Sequence, residues 1–304
     1  LHTYMGVYEI RDRDEAVSIM VDKANIAADT IKNNYDCCVA YYDEHLLEIS
    51  IEQRRLLGEF EPALQNDEFV MYLQPQVKRD GAAKGAEALV RWVHPSRGIL
   101  TPYAFIDILE NAGLIYKLDL YIWEKAAQKL AEWKEKGYGS YHISVNISTK
   151  DFYIIDIYET FTGLINKYGI AASNLHLEIT ETTLMTDFEK NMNIIHKLQG
   201  VGFRVEIDDF GSGYSSLNML KDISADVLKI DMGFLRKSEN EVKGQDILES
   251  IITLAGKIGM DVITEGVETK KQLDMLTMMG CHEFQGYYFS KPVPVSEFEE
   301  KYLV

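Results

Sequence analysis

Cysteine is scarce in this chain: Cys37, Cys38 and Cys281 are the three present. Two of them are adjacent and none falls at a metal-type spacing, so neither a disulfide framework nor a thiolate zinc site is available. A reducing cytosol is the expected compartment, also for a domain whose intact protein is membrane-anchored. No stretch reaches the roughly 18 uninterrupted apolar residues of a membrane span. The opening residues Leu1-His2-Thr3 carry no secretion signal and no initiating Met, so a piece of a longer protein is expected. Basic residues are in deficit, with 31 Lys and Arg against 48 Asp and Glu and a formal net charge of -17. That balance excludes broad binding to DNA or RNA polymers, which needs a basic surface. It still allows a small phosphorylated ligand, provided divalent cations stand between its phosphates and the acids. A Gly-rich dinucleotide fingerprint, a Walker-type Gly-Lys-Ser/Thr and a His-Glu-x-x-His pair are all missing, so no nucleotide cofactor is indicated.

What is present suits a globular protein. The 304 residues are 46% hydrophobic, enough for one large barrel-sized domain plus a fragment. Residues 1–43 read as strand (Met5 to Ile10), helix (Asp14 to Lys32) and strand (Cys37 to Tyr42), too little to be stable unaided. Residues 44–64 read as an amphipathic linker helix with Leu46, Leu47, Ile49, Ile51, Leu56 and Leu57 among charges.

Residues 65–304 then alternate between β-rich runs and helical patterns, the rhythm of parallel βα units. Strands are expected at Phe69 to Gln74, Ala86 to Trp92, Tyr141 to Ile147, Leu175 to Ile179, Phe203 to Ile207, Val227 to Ile230, Asp261 to Thr264 and Glu283 to Tyr287. The clearest helices are Leu118 to Lys136, Phe152 to Lys167, Phe188 to Gln199, Gly244 to Ile258 and Lys270 to Met279. Eight strands at this length predict an α/β fold, a TIM-like (β/α)8 barrel whose first strand is irregular or antiparallel. A doubly wound open sheet is the alternative.

In a barrel the strands deliver reacting groups at their C-terminal ends. Here they deliver acids: Glu87 with Arg91, then Asn146, Glu178 with Glu181, Asp208 with Asp209, Lys229 with Asp231, Glu265 with Glu268, and finally Gln285. The centre of this set is Asp208-Asp209-Phe210-Gly211-Ser212-Gly213, two acids ending an apolar run and followed by a glycine-bearing loop. Adjacent strand residues face opposite ways, so both acids reach one site only where the backbone turns. Taken alone the stretch reads equally as a solvated Asp-Asp-x-Gly turn or as a divalent-metal site with a lid. Crowded carboxylates need a counter-charge, and oxygen ligands point to Mg²⁺ or Mn²⁺, with two ions accounting for the paired acids. Lys229 sits in the apolar run Val227-Leu228-Lys229-Ile230, either snorkelling to solvent or facing the acids, held by Asp231 or a metal ligand. Arg91 is either one half of a structural ion pair or a phosphate clamp.

The assembled motifs resemble the EAL family of cyclic di-GMP phosphodiesterases. They are Glu87-Ala88-Leu89-Val90-Arg91-Trp92, Val145-Asn146-Ile147-Ser148, Leu177-Glu178-Ile179-Thr180-Glu181, Asp208-Asp209-Phe210-Gly211, Leu228-Lys229-Ile230-Asp231, Glu265-Gly266-Val267-Glu268-Thr269 and Gln285-Gly286-Tyr287-Tyr288-Phe289-Ser290-Lys291-Pro292. The resemblance implies a metal-dependent barrel that opens one phosphodiester of cyclic di-GMP to give linear pGpG. It implies Glu87, Asn146, Glu178 and Asp208 as ligands of one ion, with Asp208 and Asp209 serving a second. It further implies Glu265 as general base, Lys229 as the holder of the attacking water, Glu268 and Gln285 as site-lining groups and Glu181 as the anchor of the loop after Asp209. Gln74 and Arg91 are implied as substrate contacts, Asp231 as structural support, and a homodimer as the assembly.

Two positions depart from the family pattern. Asp151 stands where Gln is common, and Glu206 where a small or apolar residue is frequent. Glu206 either adds an acid beside the Asp pair or points to the other strand face. Residues 1–43 resemble the C-terminal tail of a GGDEF domain without its cyclase signature, so an upstream GGDEF-like or sensory domain is expected in the intact protein. The alternative function is a catalytically silent EAL domain that binds cyclic di-GMP as a receptor or scaffold; a carboxylate-metal lyase using Lys229 as base is a third reading.

Overall fold

The computed structural model describes residues 3–32, 38–210, 223–231, 233 and 241–303. Cys37 and the expected lid residues, Gly211 through Leu217, lie outside them. The chain divides into two compact units, Leu1–Asn66 and Asp67–Val304.

In the first unit, β1 (Met5–Val7) pairs in parallel with β2 (Val39–Tyr41), and α1 (Val17–Asp29) is the crossover between them. The helix can lie close to β1 because Gly6 has no side chain: a Cβ there would stand 1.8 Å from the carbonyl oxygen of Ala24. Helix α2 (Glu44–Gln65) follows, with the Asp43 carboxylate accepting from the Leu46 N–H at 2.9 Å. The expected strands here are longer than the paired ones, since Tyr8 to Ile10 and Tyr42 lie outside the ladder.

The second unit is a closed barrel with the strand order expected of βα repeats. Six strands run parallel in sequence order: β4 (Ala83–His94), β6 (His142–Ile147), β7 (Leu175–Thr180), β8 (Val205–Asp208), β9 (Val227–Asp231) and β10 (Asp261–Glu265). Strand β11 (Glu283–Phe284) adds in parallel to β10. Strand β3 (Phe69–Lys78) runs against both its neighbours, pairing with β4 on one side and β11 on the other. Those two pairings close the ring and exclude the open doubly wound sheet. The antiparallel β3 follows from its connection, because Arg79 to Ala82 form a short hairpin into β4 where a parallel crossover would need a dozen residues or more. Two short strands missed in the sequence decorate the ring: β5 (Gly98–Leu100) on β4 and β12 (Val293–Pro294) on β3.

Each parallel strand alternates. The residues Ile143, Val145 and Ile147, Leu175, Leu177 and Ile179, Val205 and Ile207, and Leu228 and Ile230 are all buried apolar groups. They form one face of their strands, toward helices such as α4 (Ile115–Glu135), and leave the intervening polar residues to the lumen. The helix expected at 152–167 is broken in two, α5 (Asp151–Ile154) and α6 (Ile157–Tyr168), because the Asp156 side chain caps a new start by accepting from the Glu159 N–H at 3.1 Å. Among the described residues, α3 (Ile106–Ala112), α7 (Glu181–Thr186), α8 (Phe188–Val201), α9 (Glu241–Lys257), α10 (Lys270–Met278) and α11 (Val295–Tyr302) are the remaining α-helices. No described helix is long and apolar enough to cross a membrane.

The C-terminal helix is fastened to α4 through Trp133. Its ring stacks on Phe298 with centroids 5.6 Å apart, and its indole N–H donates to Glu299 at 2.8 Å. Trp133 is fully buried. Trp133→Ala therefore leaves a cavity and removes one of two donors to Glu299 Oε1, which keeps Lys129 at 3.3 Å, and is expected to lower unfolding free energy by about 3–5 kcal/mol in a denaturant titration.

Candidate functional site

The lumen side of the strands carries the chemistry. On β6 the inward positions are His142, Ser144 and Asn146; on β7 they are His176 and Glu178; on β8, Glu206 and Asp208; on β9, Lys229; on β10, Glu265. Strand β4 brings Glu87, and the antiparallel β3 brings Gln74 directly opposite it in register.

Lys229 is at the centre. It is 1% exposed, and its ammonium contacts four carboxylates: Glu178 in direct contact, Glu265 at 2.8 Å, Glu87 at 3.4 Å and Asp208 at 3.6 Å. Burial alone would push the lysine pKa down, but the Glu265 and Glu87 carboxylates outweigh it and hold the ammonium charged. The acids feel the opposite balance. Burial raises the Asp208 carboxyl well above its usual range, and Glu265, Glu87 and Asp209 raise it further. Glu265 is also raised, chiefly by burial, with Lys229 pulling the other way. One ammonium thus offsets several converging acids incompletely.

Glu87 is fixed from three sides. Its oxygens accept from Asn146 at 3.1 Å, Gln285 at 2.5 Å and Lys229. Gln285 in turn reaches Gln74 at 3.4 Å, and Gln74 donates to the Ser290 carbonyl at 3.4 Å. The Trp123 indole donates to the Asn146 carbonyl at 2.9 Å, tying the end of β6 to α4. Asp209 takes a left-handed backbone conformation with φ 54°, the turn needed for two consecutive acids to address one region, and one that Asp tolerates better than most residues.

Of the residues named from sequence, Glu87, Asn146, Glu178, Asp208, Lys229, Glu265, Gln285 and Gln74 are brought together by these contacts. Asp209 adjoins them on the turn. Asp231 does not hold Lys229: it is exposed, and its carboxylate accepts from the Gly233 N–H at 2.7 Å. Arg91 lies over the Tyr72 ring, 5.4 Å from its centroid, and donates to the Val90 carbonyl. Glu181 opens α7 directly after β7, and Glu268 is exposed after β10. Asp151 is fully buried and accepts from both the N–H and hydroxyl of Ser148 at 2.8 Å, closing the turn two residues after Asn146. Glu206 shares the inward face of Asp208 and is fully buried, so it is a lumen residue lying below the pair. His142, Ser144, His176 and Gln76 are lumen residues that are not among those expected at the site from sequence. Their signal was the polar alternation His142-x-Ser144-x-Asn146 and His176-x-Glu178, continuing the site down the barrel.

The donor set fits a hard divalent ion. Glu87, Glu178 and Glu265 each offer an oxygen within 4.8 Å of the others; the buried Glu178 Oε2 has no hydrogen-bond partner, nor has Asp208 Oδ1, which faces the Lys229 ammonium at 3.6 Å. Buried oxygens left without a donor are costly, and a cation would satisfy them.

Comparison with known proteins locates this constellation in sequence space. The EAL domain pattern matches residues 58–292. The chain is 32% identical over 272 residues to the bifunctional diguanylate cyclase/cyclic di-GMP phosphodiesterase MucR of Pseudomonas aeruginosa, covering 89% of this chain and 39% of that protein. It is 33% identical over 240 residues to the cyclic di-GMP phosphodiesterase PdeR of Escherichia coli, covering 79% of this chain and 36% of that protein. The chain thus spans well under half the length of these curated relatives. Among solved structures it superposes on the PaMucR phosphodiesterase in complex with c-di-GMP at a TM-score of 0.76, with 33% identity over 80% of this chain and 99% of that one. The FimX EAL domain of Xanthomonas citri, at 21% identity and a TM-score of 0.73 over 81% of this chain and 96% of that one, shares the fold.

Lys229→Met removes the ammonium and leaves four carboxylates facing one another. Breaking such a buried cluster is expected to cost about 3–5 kcal/mol of stability in chelator-treated protein, and added Mn²⁺ should recover part of it, both read by thermal unfolding.

Proposed function

The chain belongs to the EAL-domain family, and we propose that it hydrolyses cyclic di-GMP to linear pGpG using two Mg²⁺ or Mn²⁺ ions. The observation that carries this reading is the convergence of Glu87, Asn146, Glu178, Asp208 and Glu265 on one end of the barrel, with buried carboxylate oxygens that lack donors. Its relatives named as cyclic di-GMP phosphodiesterases support the choice of substrate.

Glu87, Asn146, Glu178 and Asp208 would hold one ion, and Asp208 with Asp209 the second. Bound there, the ions would lower the pKa of water and offset charge on the phosphodiester. The protein's own groups do the rest. Glu265 takes the proton of the attacking water as general base, and Lys229, 2.8 Å from it, keeps that carboxylate oriented and positions the water. Gln285 and Asn146 fix the Glu87 carboxylate so that its oxygens need not reorganise during the reaction. Gln74, Arg91 and Glu268 contact the substrate at the rim, where the guanidinium fork of Arg91 matches a phosphate. Glu181 anchors the segment after Asp209, and Asp231 supports the end of β9 through the Gly233 N–H.

In domain terms, residues 1–43 would be the tail of a GGDEF-like domain, 44–64 a linker helix and 65–304 the phosphodiesterase. The intact protein would carry an upstream GGDEF-like or sensory domain, with this part in the cytosol as a homodimer.

Incubation of the purified chain with cyclic di-GMP and Mg²⁺ or Mn²⁺ should yield pGpG, read by chromatography. Binding without product would favour the receptor alternative. Glu265→Gln is expected to lower turnover by about 10²–10⁴-fold, the usual contribution of a general base, while calorimetry shows ligand binding retained. Equal loss of binding and turnover would remove Glu265 from that role.

A further inference from the structure

A second polar cluster occupies the other end of the same lumen. His142 opens β6, His176 is the second residue of β7 and Glu206 the second of β8, and each offers a ligand atom within 4.8 Å of the other two. His176 and Glu206 are buried, while His142 is partly open to a cavity of about 490 Å³ that all three line. We propose that His142, His176 and Glu206 form a binding site for a first-row transition-metal ion of the Zn²⁺ type, separate from the acidic site at the strand ends.

The hydrogen bonds prepare both imidazoles as ligands. The Nε2 of His176 faces the Ser173 carbonyl at 3.2 Å, a partner that can only accept, so Nε2 carries the hydrogen and Nδ1 presents a lone pair. That lone pair points at Glu206 Oε1, 2.6 Å away. Two acceptors at this distance share a proton, which an ion bound by both residues would displace. His142 is held by Gln76 Oε1 at 2.7 Å from its Nε2, again an acceptor that leaves Nδ1 free to ligate. A backbone carbonyl or amide oxygen behind a ligating histidine is the usual means of fixing its tautomer.

A further oxygen points to an ion. Glu206 Oε2 is fully buried and has no hydrogen-bond partner, although Oε1 of the same carboxylate accepts from Ser144 at 3.1 Å as well as facing His176. The position of His142 is also built in. A Cβ on Gly85 of the neighbouring strand would stand 2.4 Å from the His142 ring, so only glycine at 85 admits the imidazole. Two histidines and one carboxylate suit Zn²⁺ and related borderline ions better than Mg²⁺, and the fourth position would open to the cavity. The two rings are stacked, with centroids 3.8 Å apart and planes 4° from parallel, so binding requires them to splay toward the adjoining cavity. The nearby cations are already engaged: Arg204 with Asp261 at 2.6 Å and Lys84 with Glu283.

The strand positions give the ion a structural effect. His142 lies four residues before Asn146, His176 two before Glu178 and Glu206 two before Asp208, each pair on one strand and one face. An ion at the lower site would clamp the three adjacent strands that carry the upper acids.

The test uses Zn²⁺ alone. X-ray absorption of the full chain loaded with one equivalent should show two imidazole neighbours, and the Asp208→Asn variant should show the same. Thermal unfolding should shift upward with Zn²⁺ in wild type and lose that shift in His142→Asn, whose Mg²⁺-supported hydrolysis of cyclic di-GMP stays at the wild-type rate. Oxygen-only coordination in wild type, or two-imidazole coordination that persists in His142→Asn, would overturn the proposal. Should the variant fold poorly, the wild-type absorption spectrum decides by itself.

Discussion

The constraint on which this barrel depends is charge in a closed space. Glu87, Glu178, Asp208 and Glu265 converge from four strands, and the ammonium of Lys229 is set among them. Carboxylates at such distances oppose one another's ionisation, and burial raises the cost of each charge. Lys229 makes their assembly tolerable, and the acids in turn make a fully buried lysine tolerable. Neither side of the cluster would be stable in the lumen without the other, and the pair remains poised to accept further positive charge.

The fold supplies this space by an uncommon division of each strand. In an ordinary parallel barrel the lumen is packed with branched apolar side chains. Here the apolar residues of β6 to β9 lie on the helix-facing side, and the lumen holds a column of polar groups from Gln76 and His142 at one end to Asn146 and Glu178 at the other. Such a column survives only if its members satisfy one another, and most do. Gln285, Gln74, Asn146 and Ser144 each bridge acids or amides from different strands. Among the described lumen groups, oxygens of Glu178, Asp208, Glu206 and Gln285 are left without a hydrogen-bond partner.

The inverted strand β3 shares in this economy. Running antiparallel, it places Gln74 opposite Glu87 and Gln76 beside His142 and Ser144, so one strand contributes to both ends of the column. Its hairpin to β4 replaces the first helical crossover, leaving that side of the barrel without an intervening helix.

The sequence by itself determined the elements and the acids. All eight barrel strands were visible from their apolar runs, because hydrophobic alternation is a local property that neighbouring residues carry together. Strand boundaries and the break between α5 and α6 were less visible, since a single cap such as Asp156 decides them. The acidic motifs and their family resemblance were equally plain. Only the tertiary structure decided which residues meet. It gave Lys229 four carboxylate partners and turned Asp231 to a backbone amide, and it placed Glu206 inside the lumen with His176. Those outcomes depend on ring closure and on the register between strands, which join residues from 30 to more than 200 positions apart, such as His176 with Glu206 and Gln74 with Gln285. A period of two along one strand says which side chains face inward; the pairing of strands says at what height each one arrives, and with whom.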